Sequence, residues 1–179
     1  MFAAALLVAA QTAAAVDTGT VTGKQYWGIN LGGVEAEVAG AERFGLSDFE
    51  MFSMSALYGY ELHPRIALEG RFGRVWDDEQ SLPDGRRLSA RVDYFVSAFA
   101  RLNVFTGDIR PYILLGGTYG RARASLDGET ENENEGDVSY GAGVSFHIRD
   151  FAVQFEYINY LDKDDTKIQG GNLGVMYRF

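Results

Sequence analysis

The sequence predicts an all-β protein, an eight-stranded antiparallel up-and-down transmembrane β-barrel preceded by a cleavable signal peptide. Three observations predict it. Apolar and polar residues alternate with a period of two through most of the 179 residues, which sorts them onto two faces of a strand and cannot do so on a helix. The alternating runs are long, about 10 to 13 residues, where ~9–11 suffice to cross hydrocarbon at a tilt and ordinary globular strands run nearer ~5–6. The connections alternate between short turns and long polar loops, as in membrane barrels.

Residues 2–15 read FAAALLVAAQTAAA, an apolar stretch ending in small residues before Val16. This pattern predicts a signal peptide over 1–15 and a mature barrel over 16–179, although the usual basic start is missing.

The first strand, near Gln25 to Val34, sets Trp27, Ile29 and Leu31 against Gly28, Asn30 and Gly32. Phe52, Met54, Ala56, Tyr58, Tyr60 and Leu62 then oppose Ser53, Ser55, Gly59 and Glu61. Ile66, Leu68, Gly70 and Phe72 oppose Glu69, Arg71 and Gly73. Val92 to Val104 sets its even-numbered apolar positions against Asp93, Phe95, Ser97, Phe99, Arg101 and Asn103. Residues 111–123 contain Ile113, Leu114 and Leu115, apolar on both faces, so their facing is left open. Val138 to Ile148, Phe151 to Leu161 and Ile168 to Phe179 alternate in the same way. The short connections are 63–65, 106–110 and 149–150. The stretches 36–49, 76–90, 124–137 and 162–167 read as polar loops.

Composition narrows the function classes. A net charge of −9 argues against nucleic acid, which needs a basic surface. The absence of cysteine excludes disulfides and thiolate sites, and two histidines leave little for zinc. No run of 18 apolar residues exists beyond the N-terminus, so spanning helices are out.

The polar face collects charges of both signs. In a soluble barrel the apolar face points inward. Here an outward apolar face would meet lipid, and Glu69, Arg71, Asp93, Arg101, Glu156 and Arg178 are expected to form a lumen charge network. Unpaired, each would cost several kcal/mol, about the penalty for a buried ion, so acid–arginine pairing is expected. Aromatics near strand ends, among them Tyr26, Trp27, Phe52, Tyr58, Tyr112, Phe151 and Tyr177, suggest interfacial girdles.

No catalytic site is expected. A lipid-modifying hydrolase needs a serine, a histidine and an acid converging at the lipid-facing surface. Ser145 and His147 share the lumen face and read as a hydrogen-bonded interior pair. No metal site is assigned either. Asp127, Glu129 and Glu131 in one acidic loop, with Asp162, Asp164 and Asp165 in another, are candidate cation-binding carboxylates. Runs of like charge are more often solvated loops.

The chain ends Gly174-Val175-Met176-Tyr177-Arg178-Phe179. Arg110-Pro111-Tyr112 with Gly116-Gly117, and Ser139-Tyr140-Gly141-Ala142-Gly143-Val144 followed by Phe155-Glu156-Tyr157, precede it in order. These stretches resemble the outer-membrane β-barrel domain shared by opacity-type porin-like proteins and the transmembrane domain of outer membrane protein A. The resemblance is clearest from about Arg110 onward. It implies an integral protein of the outer membrane of a Gram-negative bacterium, with Tyr177 and Phe179 in the barrel-insertion signal. It also implies outer-membrane lipids, lipopolysaccharide and the barrel-assembly machinery as partners, and no cofactor. The family does not imply one activity. The expected function is a non-enzymatic structural and surface-interaction role, with the lumen plugged by charges. The alternative is a small low-conductance porin.

Overall fold

The computed structural model describes residues 23–38, 49–76, 80–81, 87–126, 129–163 and 166–179. The expected signal peptide lies outside them. The strands are β1 (Gln25–Val38), β2 (Phe49–His63), β3 (Ile66–Trp76), the two-residue β4 (Gln80–Ser81), β5 (Arg87–Asn103), β6 (Ile109–Leu126), β7 (Glu129–Ile148), β8 (Phe151–Lys163) and β9 (Thr166–Arg178). Consecutive strands pair antiparallel except β3 and β4, β1 pairs with β9, and β3 pairs with β5 past the short β4. Eight strands therefore close into a barrel, with β4 an appendage on β5. Closure leaves no unpaired edge within the ring, the condition for backbone in hydrocarbon.

The barrel is inside out relative to a soluble one. Trp27, Ile29, Phe52, Phe72, Leu115, Phe155 and Val175 are all exposed on its outer surface, while Glu69, Arg71, Arg101 and Glu156 are each no more than 5% exposed. Such a surface is stable only in an apolar solvent. The facing read for the alternating strands holds along the described ladders except beyond two register irregularities: Val92 pairs with the inward Val75, and Leu161 is buried. The open stretch resolves as well: Tyr112 and Leu114 point inward, and Ile113, Leu115 and Tyr119 point outward.

Three expectations are corrected. Strands reach 17, 18 and 20 residues in β5, β6 and β7. Residues 124–126 and 129–137 accordingly lie in strands rather than in a loop, as do the ends of the other stretches read as loops (to Val38 in β1, from Arg87 in β5, to Lys163 in β8 and from Thr166 in β9): Leu126 pairs with Glu129, and the ladder runs unbroken down to Thr118 with Asp137. Tyr26 and Tyr112 belong to no girdle, because both are buried in the lumen. Glycines opposite them make the room. A Cβ on Gly59 would overlap the Tyr26 ring, and one on Gly143 would overlap that of Tyr112.

The girdles form from other residues. At the end carrying the short turns, Tyr177 packs against Trp27, Phe151 and Phe179, with ring centres 5.1 to 6.5 Å apart. Toward the loop end, Phe52 meets Trp76 and Phe72 meets Tyr94.

Candidate functional site

β3 carries Glu69 and Arg71 two residues apart, so both side chains enter the lumen. Arg71 donates to Glu69 Oε2 at 2.6 Å and, across the lumen, to both oxygens of Glu156 on β8. In the ring order β1-β2-β3-β5-β6-β7-β8-β9, β3 and β8 are four places apart. The Arg71–Glu156 pair thus spans the full diameter.

Arg101 on β5 closes the other side. It donates to Glu69 Oε1 and Gln154 Oε1, both at 3.0 Å, to Ser145 Oγ at 2.8 Å and to Asn103 Oδ1. Its guanidinium stacks 3.6 Å from the centre of the Tyr112 ring. The Tyr26 hydroxyl donates to Glu69 at 2.7 Å, and that of Tyr112 donates to Glu156 at 3.0 Å. Gln154 donates to Asn30, and Asn30 reaches Glu156. Two carboxylates and two guanidiniums balance. Planar guanidiniums can meet several oxygens at once, as a compact network requires. Phe99, Tyr112, Leu114 and Ile158 form a buried apolar layer beside it, with Arg71 over the Phe99 ring.

The six expected lumen charges divide by height. Glu69, Arg71, Arg101 and Glu156 meet. Arg178 does not join them. It lies at the turn end, where it bonds to His147 and, with Glu61, Arg110 and Asp150, lines a water-sized cavity of about 20 Å³. Asp93 sits toward the loop end, where its carbonyl accepts from Arg74 Nε at 2.9 Å. Sequence reasoning missed Tyr26, Asn30 and Tyr112 as members of the network. Parity with the charges on neighbouring strands was the available signal.

Ser145 and His147 are 3.0 Å apart. A guanidinium only donates, so Arg178 fixes His147 Nδ1 as an acceptor and leaves the ring proton on Nε2. That nitrogen faces Ser145 Oγ, which also accepts from Arg101 and turns toward the Arg110 carbonyl. His147 cannot take a proton from Ser145 in this arrangement.

Of the candidate cation ligands, Asp127, Asp164 and Asp165 lie outside the described residues. Glu129 and Glu131 fall in β7, opposite Leu126 and Ala124, rather than in a loop. Asp162 is exposed, and its backbone N–H donates to Asp137 Oδ2. Among the described residues no three His, Asp or Glu side chains cluster as metal ligands would.

The whole chain, residues 1–179, matches the family model of the outer membrane protein beta-barrel domain. The protein belongs to that family. It is therefore an integral β-barrel of the bacterial outer membrane, set among that membrane's lipids. The attachment invasion locus protein of Yersinia pseudotuberculosis is 29% identical over 128 residues, 68% of each chain. The solved attachment invasion locus protein of Yersinia pestis superposes with a TM-score of 0.64 at 23% identity, covering 88% of this chain and 99% of that one. Neisserial surface protein A gives 0.66 at 16% identity, again covering 88% and 99%. The Yersinia pestis protein has also been solved with the heparin analogue sucrose octasulfate. At these identities the structures bear on the fold alone.

Proposed function

We propose that this protein is a non-catalytic outer-membrane barrel, closed to ions, that supports the envelope and makes its contacts through the outward surface at its loop end. The observation that carries this reading is the Arg71–Glu156 pair spanning the lumen, with Arg101 and Glu69 completing it. An ion passing the barrel would have to break charge-assisted bonds among side chains already removed from water, and each such break costs several kcal/mol, about the penalty for an uncompensated buried charge. The proton arrangement at Ser145 and His147 supports the non-catalytic part. Relatives named for attachment and invasion support the surface-contact part. The partners are lipopolysaccharide around the barrel and the assembly machinery at the β9 end, where Tyr177 and Phe179 join the aromatic girdle. The protein works without a cofactor.

Single-channel recording on the refolded chain in a planar bilayer tests the closed lumen, with a heat-shifted gel band confirming that the barrel has formed. No discrete conductance steps are expected. Reproducible steps would favour the small low-conductance porin instead.

A further inference from the structure

The lumen arginines differ in what answers their charge. Arg71 meets Glu69 and Glu156, and Arg101 meets Glu69. Arg178, on the polar face of β9, pairs with no carboxylate among the described residues. Its guanidinium donates to His147 Nδ1. That imidazole keeps its proton on Nε2, toward Ser145 at 3.0 Å, so it is neutral and brings no countercharge. Arg110 is the other cation at this level. Its Nε donates to the Gly107 carbonyl at 2.7 Å. Glu61 Oε1 stands 3.8 Å from its Nη1, beyond hydrogen-bond reach. Arg110 and Arg178 line the turn-end cavity of about 20 Å³ together. Arg101 lines its buried side and Asp150 its exposed side, with Glu61 between them in the wall.

Two half-buried guanidiniums beside one cavity repel each other more strongly than they would in open water. Glu61 answers Arg110 only loosely at its distance. Asp150 holds Arg178 through its backbone, its carbonyl accepting from the Arg178 N–H at 2.7 Å. A guanidinium only donates, so a water in the cavity would satisfy its hydrogen bonds but not its charge. An anion does both. The cavity has room for one small ion or one oxygen atom. Its rim is laced by backbone bonds. The His147 N–H donates to the Asp108 carbonyl at 2.7 Å, the Asn103 N–H to that of Arg65 at 2.8 Å and the Glu61 N–H to that of Lys24 at 2.8 Å. These bonds tie the turns after β2 and β5 to neighbouring strands, as the Arg178 bond ties the turn after β7. The walls are therefore set before any ligand arrives, which lowers the cost of binding one.

We propose that this turn-end cavity binds a small anion, with Arg110 and Arg178 as its ligands. The short turns of such barrels face the periplasm, so the anion enters from that side. It goes no further, because Arg101 behind it is already bonded to Glu69, Gln154 and Ser145. Room for one atom restricts the ligand to a free halide such as chloride or to one oxygen at the tip of a carboxylate. Charge-assisted bonds from guanidinium suit either.

The test uses the full chain folded in zwitterionic detergent and a low-salt buffer. Sodium chloride, sodium acetate and a short peptide with a free C-terminal carboxylate are titrated while the arginine Nε–H signals are followed by proton–nitrogen NMR. The Arg110 and Arg178 signals are expected to shift and to saturate, while those of Arg65 and Arg149 in exposed turns do not. Arg110→Gln and Arg178→Gln should each weaken binding about tenfold, the worth of one charge-assisted hydrogen bond. Arg178→Lys keeps the charge and should lose less, and Arg149→Gln should change nothing. A heat-shifted band confirms that each variant has folded, and Arg110→Gln carries the test should Arg178→Gln fail to fold. Saturation by the peptide and by acetate, but not by the peptide's C-terminal amide, would uphold the site and name a carboxylate as its ligand. Saturation by chloride alone would uphold it with a free ion. Equal drift of all arginine signals without saturation, the mark of general screening, would overturn the proposal. So would saturation that the glutamine variants left unaltered, which would place the anion elsewhere.

Discussion

Arg71→Ala removes the only cation that Glu156 meets among the described residues, while Glu69 keeps Arg101 at 3.0 Å. The two stranded carboxylates are therefore not equivalent. Removing one partner of a buried pair costs about 3–5 kcal/mol, and most of that should fall on Glu156. Its remaining bonds come from Tyr112 at 3.0 Å and Asn30 at 3.5 Å, both uncharged donors. The double variant Arg71→Ala, Glu156→Gln should recover about 2 kcal/mol, because the uncompensated charge is gone and only hydrogen bonds and packing remain lost. The double variant Arg71→Ala, Glu69→Gln should recover little. It leaves Glu156 as stranded as before and deprives Arg101 of its carboxylate. Equilibrium urea unfolding of the folded protein in lipid vesicles, followed by tryptophan emission, gives the three free energies. A loss below about 1 kcal/mol for Arg71→Ala would refute the reasoning, since even an exposed ion pair reaches that range. So would better rescue by Glu69→Gln than by Glu156→Gln.

Other substitutions test other layers. Gly59→Ala and Gly143→Ala force a methyl into the Tyr26 and Tyr112 rings and should each cost about 1–3 kcal/mol by overpacking, measured in the same urea titration. Ser145→Ala removes hydroxyl bonds to Arg101 and the Arg110 carbonyl. It should lower stability by about 1 kcal/mol while leaving the lipid A acyl pattern of expressing cells unchanged by mass spectrometry. Arg71→Ala, where it folds, should admit measurable current in a planar bilayer that the wild type does not. Tyr177→Ala dissolves the girdle cluster with Trp27, Phe151 and Phe179 and should reduce the folded fraction recovered from outer membranes, scored by the heat-shifted band.

Much of the barrel was legible because a two-residue period is a one-dimensional record of face. Glu69, Arg71, Arg101 and Glu156 could be placed in the lumen from parity alone. Height could not be read that way. Asp93 and Arg178 have the same parity as the network, yet one sits toward the loop end and the other by His147 at the turn end. Their level depends on how each strand is staggered against its neighbours, and local sequence does not carry that stagger. The Asp93 level is further shifted by the irregularity between Val92 and Tyr94 in the β5–β6 ladder.

Two failures have a common cause. Parity is visible only when the two faces differ in polarity. Across Ile113, Leu114 and Leu115 both faces are apolar, because at that level the lumen holds the Phe99, Leu114 and Ile158 layer. Across 129–137 both faces are polar, glutamates on one and asparagines on the other, so an extended hairpin reads as a loop. The same hairpin shows what a composition count conceals. Its carboxylates make the segment look uniformly acidic, but the β6–β7 register puts them all at one parity and leaves Arg121 and Arg123 on the other.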